Sequence, residues 1–153
     1  CESTENLIPS NGPPYVNKKD LANCSGLIMG SPTYFGNMAA PLKYFLDSTS
    51  SEWLSGVLAD KPAGFFTSSS SPHGGQESTL LSMAIPLLHH GMIIVGIPYT
   101  LKAISTTKSG GGPYGASHIT WNRDTEELTN EEKEVAQAIG KRVTQIAKKL
   151  ILK

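Results

Sequence analysis

The sequence is poor in several things at once. Only two cysteines, Cys1 and Cys24, occur in 153 residues. Two thiols cannot build a disulfide framework, so the composition fits a reducing, cytoplasmic compartment. Neither charge is in excess, since thirteen Lys and Arg balance thirteen Asp and Glu. That excludes the basic field that draws proteins to nucleic acid or to anionic membranes. No apolar run approaches the ~18–20 residues of a membrane span. Charged residues make up only 17% of the chain, against roughly 25% in an average domain. So thinly charged a surface points to contacts between subunits.

What remains is one domain's worth of chain, long enough to bury a sizeable core. The opening stretch, Cys1–Lys19, has no charged segment followed by an apolar one, and so no signal-peptide pattern. Pro9, Gly12, Pro13 and Pro14 give it loop chemistry. Residues 1–20 therefore read as a loop-like leader to a single domain spanning 1–153. A domain rarely opens on a long loop that leads nowhere, so this reading expects more chain upstream of Cys1; a disordered tail is the alternative.

Three short, continuous apolar runs read as strands covered on both faces: Gly26–Met29, Ala63–Thr67 and Met92–Gly96. Helical patterns lie between them. Residues 37–47 place Met38, Leu42, Phe45 and Leu46 on one side, with Pro41 tolerable only in a first turn. Residues 76–90 place Leu80, Leu81, Ala84, Leu87 and Leu88 inward, with a kink expected at Pro86. Thr129-Asn130-Glu131-Glu132 is a capping box. It opens a helix whose stripe is Val135, Ile139, Val143, Ile146 and Leu150, with Lys148 and Lys149 suited to its end. The Gly/Ser-rich stretch 105–117 reads as one long loop. Strand and helix in alternation predict an α/β domain with a parallel sheet.

In an open parallel sheet, ligands bind beyond the carboxyl ends of the strands. Three loops fall there: 31–37, 67–76 and 98–115. They are rich in hydroxyls, glycine-exposed amides and aromatic rings, which suits a flat, polar-edged ring. The same residue types also serve ordinary strand-to-helix turns. His73-Gly74-Gly75 mimics a lipase oxyanion-hole motif, but no Gly-x-Ser-x-Gly nucleophile elbow accompanies it. His89 and His90 are adjacent and would point about 100° apart on a helix, so they do not share a metal; no metal site is expected.

The ordered motifs Gly30-Ser31-Pro32-Thr33-Tyr34-Phe35-Gly36-Asn37-Met38, Phe66-Thr67-Ser68, His73-Gly74-Gly75-Gln76-Glu77, Leu87-Leu88-His89-His90-Gly91-Met92 and Pro113-Tyr114-Gly115-Ala116-Ser117 resemble those of WrbA-type NAD(P)H:quinone oxidoreductases, a flavodoxin-like FMN family. The resemblance runs from Asn23 to the last helix. It implies a flavodoxin-like three-layer sandwich, here N-terminally incomplete, because the family's opening strand and phosphate loop have no counterpart in the sequence. It implies FMN as cofactor, NAD(P)H as electron donor and a quinone as acceptor, the two substrates taking turns at one cleft. It also implies a homo-oligomer, a homotetramer in the family, with no membrane insertion.

Carried over residue by residue, the resemblance places Pro32, Thr33, Tyr34, Phe35, Gly36 and Asn37 at the cofactor. Thr67, Ser68, Ser69, Ser70, Ser71, Pro72, His73 and Gly74 join them, as does His89. Trp53 and Tyr114 are assigned to the substrate, Trp53 across a subunit boundary. The flavin performs the chemistry, so no catalytic side chain is required. Tyr34 stands where the family usually has Arg, so an aromatic contact replaces a polar one. Without a phosphate loop, the 153 residues by themselves are expected to hold little FMN and to self-associate along an open sheet edge. A non-enzymatic electron carrier, an interaction protein on the same fold and an inactive fragment are the alternatives; a carrier is usually strongly acidic, and this chain is neutral.

Overall fold

The computed structural model describes residues 11–120 and 127–151. The chain enters through a short helix, α1 (Lys18–Asn23), started by a capping box in which Asn17 and Asp20 satisfy each other's backbone N–H groups. Then follow β1 (Leu27–Pro32), α2 (Ala40–Asp47), α3 (Ser50–Leu54), β2 (Pro62–Ser69), α4 (Gln76–His89), β3 (Ile93–Ile94), α5 (Ala103–Thr106), β4 (Ala116–Ile119) and α6 (Asn130–Ile151).

All strand pairings are parallel. β2 is the hub. One edge pairs with β1 over Leu27–Pro32. The other is shared along its length, first by β3 against Pro62–Ala63 and then by β4 against Phe66–Ser69. Helices cover both faces. Leu80, Met83, Ala84 and Leu87 of α4 close one core with Met29, Leu58, Ala63, Phe65 and Met92. Val135, Ile139 and Val143 of α6 close the other with Val95, Ile97, Ile104 and Ala116. This is the flavodoxin-like α/β sandwich with a parallel sheet.

The three apolar runs become β1, β2 and β3, although Ile28 of β1 and Ile93 of β3 stay exposed at the sheet's margins. Pro41 falls in the first turn of α2, where its missing N–H costs nothing. The capping box at Thr129 opens α6, with Glu132 N–H donating to Thr129 Oγ1 at 3.1 Å.

Three expectations need correction. Residues 1–10 of the leader lie outside the described residues, Cys1 among them, but Lys18–Asn23 is helical and its Leu21 is buried. The stretch 105–117 is not one loop: it begins inside α5 and ends in β4. Leu81 and Leu88 face outward on α4, and Thr79 and Met83 take the inward positions instead. α4 continues through Pro86 to His89.

Candidate functional site

At the carboxyl ends of β1 and β2 two loops are drawn together by hydroxyls. Thr33 follows β1, and its N–H donates to the Ser68 carbonyl at 2.9 Å, extending the β1–β2 ladder by one bond. Its hydroxyl lies 3.3 Å from Thr67 Oγ1 and 3.1 Å from Thr79 Oγ1. Thr67 Oγ1 donates to the Ser31 carbonyl at 2.7 Å, and Ser31 Oγ accepts from Ala39 N–H at 2.8 Å. Ser31, Thr67 and Thr79 are buried. Strand end, second strand and helix are thus locked by short polar side chains, which leaves room above them.

The turn after Thr33 is rigid. Tyr34 and Asn37 exchange both backbone hydrogen bonds at 2.9 Å, around Phe35 at φ 50° and Gly36 at φ 74°. Positive φ at both central residues is the geometry of a tight hairpin turn. A phenylalanine there stores about 1–3 kcal/mol of strain. Its ring is fully exposed and Tyr34 is 58% exposed. Gly75, at φ 96°, is required by what lies beside it: a Cβ on it would sit 2.7 Å from Gly36 Cα, and a Cβ on Gly36 would in turn sit 2.9 Å from Ser78 Oγ. The turn and the start of α4 therefore touch backbone to backbone.

The second loop, 68–74, is braced from inside. Gln76 is 3% exposed, and its amide donates to Ser69 Oγ at 2.5 Å and to the Ser71 carbonyl at 2.6 Å. Gln76 Oε1 is buried and has no partner. Sequence reasoning passed over Gln76 and Thr79. The available signal was a polar residue at each of two inward positions of an otherwise apolar helix face. Among the described residues, the N–H groups of Phe35, Gly36, Ser70, Ser71 and His73 meet no acceptor. Pro32, Tyr34, Phe35 and Met38 line a groove with Lys43 at one side.

A buttress stands behind this end of the sheet. Glu132 has 1% of its side chain exposed and lies 3.0 Å from His118 Nδ1. It accepts from the N–H groups of Gly110, Ile119 and Thr129 at 3.1, 3.2 and 2.8 Å, and from the Ser109 hydroxyl. Burial would raise its pKa; the bonds from Ser109, Thr129, His118 and Gly110 outweigh burial and pull it down to about 2. One carboxylate thereby joins the 109–111 loop, β4 and α6. His118 Nε2 is buried without a partner.

The remaining assigned residues lie elsewhere. α4 begins at the loop end of the sheet and runs back toward the amino ends of the strands. There the Gly91 carbonyl accepts from Asp60 N–H at 3.0 Å. His89 and Trp53 meet at that far end: the indole N–H donates to the His89 carbonyl at 2.8 Å. Both line a hollow of about 350 Å³ with Lys43, Asp47, Ile85 and Pro86. Next to it, buried His90 lies with Nε2 2.9 Å from Thr49 Oγ1, and burial lowers its pKa. Gln76 and His89 are the first and last residues of the fourteen-residue α4, a span of about 20 Å. Tyr114 lies in neither group. It precedes β4, whose first residue pairs with Phe66, so it flanks the middle of β2. One chain thus unites Thr33–Asn37 with Thr67–Gly74, and holds Trp53 and His89 apart from them.

The chain is similar to known proteins. The family model described as NADPH-dependent FMN reductase matches residues 6–105. An NAD(P)H dehydrogenase (quinone) of Syntrophobacter fumaroxidans is 45% identical over 139 residues, covering 90% of this chain and 68% of that protein. The protein of the same name from Geobacter sulfurreducens is 42% identical over 139 residues, with 90% and 68% covered. The chain thus spans about two thirds of the length of these relatives. A solved structure, the flavodoxin, WrbA-like protein from Agrobacterium tumefaciens, superposes with a TM-score of 0.62 at 25% identity, over 86% of this chain and 71% of that one. Parallel sheet, paired polar loops and these likenesses agree, and the chain belongs to the NADPH-dependent FMN reductase family, among its WrbA-type, flavodoxin-like quinone oxidoreductases.

Proposed function

We propose that the protein is an FMN-dependent NAD(P)H:quinone oxidoreductase whose ring-binding surface is the pair of loops Thr33–Asn37 and Thr67–Gly74. The observation that carries this is their convergence at the carboxyl ends of two adjacent parallel strands, with five N–H groups lacking acceptors among the described residues. The donor set fits FMN. A flat heterocycle with carbonyl and nitrogen edges needs amide donors in the ring plane and apolar surface across its face. Phe35, Gly36, Ser70, Ser71 and His73 offer the first; Pro32, Tyr34 and Phe35 offer the second. Unpartnered Gln76 Oε1 offers one buried acceptor for a ring N–H or its water.

When bound, FMN supplies the two-electron chemistry that takes hydride from a nicotinamide and passes it to a quinone. The chain's part is to orient and to exclude. The Tyr34–Asn37 turn is stiff enough to hold its N–H groups in one direction. Gln76 holds the serine loop at a fixed height, so its amides need no reorganisation on binding. No side chain here must give up or accept a proton at neutral pH.

Two finer statements belong to the same reading. Trp53 walls the substrate space and His89 the flavin site of a neighbouring protomer, and the assembly is a homotetramer. The support is their separation from the ring loops within one chain, together with the low charge content. A cytoplasmic location is supported by the scarcity of cysteine; among the described residues no helix is long and apolar enough to cross a membrane.

The test is titration of the protein with FMN, followed by flavin fluorescence, and steady-state reduction of benzoquinone by NADH and by NADPH. FMN-dependent turnover is expected, with FMN binding that saturates only weakly in the 153 residues by themselves, as the sequence reading expects. Binding without turnover would favour an electron carrier, and Gly36→Val, which fills the turn-to-helix contact, should abolish binding if the loops are the site.

A further inference from the structure

Beside the outer edge of β1 the core leaves a cavity of about 190 Å³. Its walls are almost wholly apolar, with Leu21, Met29, Phe45, Leu58 and Leu87 among them. Val16 and Ile28, both exposed, stand at its margin and leave it open to entry. Among the described residues two polar side chains reach it, Thr49 and His90. Thr49 has no proton left to give. Its hydroxyl donates to the Leu46 carbonyl at 2.6 Å, so towards His90 Nε2, 2.9 Å away, its oxygen accepts. That bond fixes the tautomer: Nε2 carries the proton and Nδ1 is a bare acceptor. His90 is 9% exposed, and its Nδ1 is buried without a partner. Burial lowers the pKa of the ring and so favours this neutral form. An acceptor buried and left unbonded is costly. Water is a poor remedy, because a buried water takes roughly two to four bonds and these side chains offer it one.

We propose that this cavity binds a single-ring phenol, whose O–H donates to His90 Nδ1 while its ring lies among the apolar walls. The size agrees: a dry apolar cavity of roughly 150 Å³ accepts benzene, and this one leaves room for hydroxyls on the ring. The chemistry separates donors from acceptors. A quinone carries carbonyl oxygens only, and these gain nothing from a bare nitrogen. The hydroquinone made from it carries O–H groups that can satisfy Nδ1. The natural ligand is therefore the reduced product of the proposed reaction, an assignment that rests on the quinone-reductase reading. The cavity holds the hydroquinone and passes over the quinone. Its position suits this, since Leu46, Thr49 and His90 also line the hollow beside Trp53.

The test is calorimetric titration of the full 153-residue chain with phenol and with fluorobenzene, which is close to phenol in size and lacks the O–H. Phenol should bind saturably and about tenfold more tightly than fluorobenzene. His90→Phe, which keeps a ring and removes both nitrogens, should bring the two to equal affinity. If His90→Phe loses its far-ultraviolet dichroism, nuclear Overhauser contacts between bound phenol and the methyl groups of Met29 and Leu87 in the parent chain decide alone. Hydroquinone should displace phenol, and failure to do so overturns the product assignment. The proposal as a whole is overturned by any of four results: no saturable phenol binding, equal parental affinity for phenol and fluorobenzene, a His90→Phe variant that keeps the parental preference, or phenol bound without the methyl contacts. Steady-state reduction of benzoquinone by NADPH, with FMN added, separates this proposal from the activity reading. His90-dependent phenol binding without turnover supports the cavity while the activity reading fails. Turnover without phenol binding keeps the activity and overturns the cavity.

Discussion

The two ends of the sheet are built on different principles. At the carboxyl ends, hydroxyls of Thr33, Thr67 and Thr79 and the amide of Gln76 hold loops in which the N–H groups of Phe35, Gly36, Ser70, Ser71 and His73 meet no acceptor among the described residues. At the amino ends, helices close over the strands. Trp53 is fastened to His89 and His90 is sealed beneath with Thr49. The first end leaves backbone donors facing outward from loops held at fixed height. The second closes on its own side chains around a hollow of about 350 Å³. The difference teaches that one helix, α4, can carry a polar, open end and a packed, aromatic end about a helix length apart.

Substitutions can break this comparison from either end. The largest effect should come from Glu132, which supports the loop end from behind. Glu132→Ala leaves the buried N–H groups of Gly110 and Ile119 and the part-buried one of Thr129 without their acceptor and should cost about 3–5 kcal/mol, read by urea denaturation. The wild-type carboxylate also makes a pH prediction. Its pKa is about 2 in the folded chain against an ordinary 4.5. The folded state binds fewer protons than the unfolded one, so its contribution is full above about pH 4.5 and is lost as pH falls toward 2. Stability should decline across that window, and the decline should be blunted in Glu132→Gln. An unchanged acid limb in Glu132→Gln would mean that other carboxylates dominate.

Next in size is the turn-to-helix contact. Gly75→Ala forces a Cβ to 2.7 Å from Gly36 Cα at a backbone φ of 96°. It should cost about 1–3 kcal/mol and weaken FMN affinity. If affinity is preserved, the Thr33–Asn37 turn is not part of the ring surface. Gln76→Ala releases the serine loop and should weaken FMN affinity by roughly tenfold, one lost charge-free hydrogen-bond brace being about 1–1.5 kcal/mol.

At the opposite end, Trp53→Ala removes a half-exposed side chain and one hydrogen bond, a stability loss of about 1 kcal/mol. Quinone turnover should fall by more than FMN affinity does. Equal loss of both would return Trp53 to a purely structural role and collapse the distinction between the two ends. The smallest expected effect concerns His90. Burial lowers its pKa below 6.5, so the neutral form is favoured in the fold. Its contribution is present above about pH 6.5 and is lost as pH falls through the lower folded value. A modest loss of stability below pH 6.5, absent in His90→Gln, is the expected readout.

Much of this was legible before any coordinates. β1 and β2 announce themselves as continuous apolar runs. Pro41 and the Thr129–Glu132 box mark where helices begin, because a missing N–H and a capping carboxylate are local facts. The ring loops are legible too, since hydroxyls and glycines cluster where strands end. β4 was not legible. Ala116-Ser117-His118-Ile119 has no apolar run, and it is a strand only because the edge of β2 beyond Ala63 is free to pair. β3 is short for the matching reason: the Met92–Gly96 run leaves β2 after Ile94, and Ile97 N–H turns to the Pro113 carbonyl at 2.9 Å.

The sequence by itself determined the α/β class, the parallel sheet, the neutral surface and the residue types of the ring loops. Each of these follows from period, composition or a contiguous motif. Only the tertiary structure decided which residues meet. It placed Gln76 under the serine loop, turned Leu81 and Leu88 outward, gathered Ser109, His118 and Thr129 on Glu132, and set Trp53 with His89 at the far end of α4. The physical reason is that periodicity names a face but not what covers it. α4 is apolar nearly all round, so its sequence cannot say which stripe the sheet takes. The sheet takes the one carrying Thr79 and Met83, which sets Thr79 Oγ1 3.1 Å from the hydroxyl of Thr33.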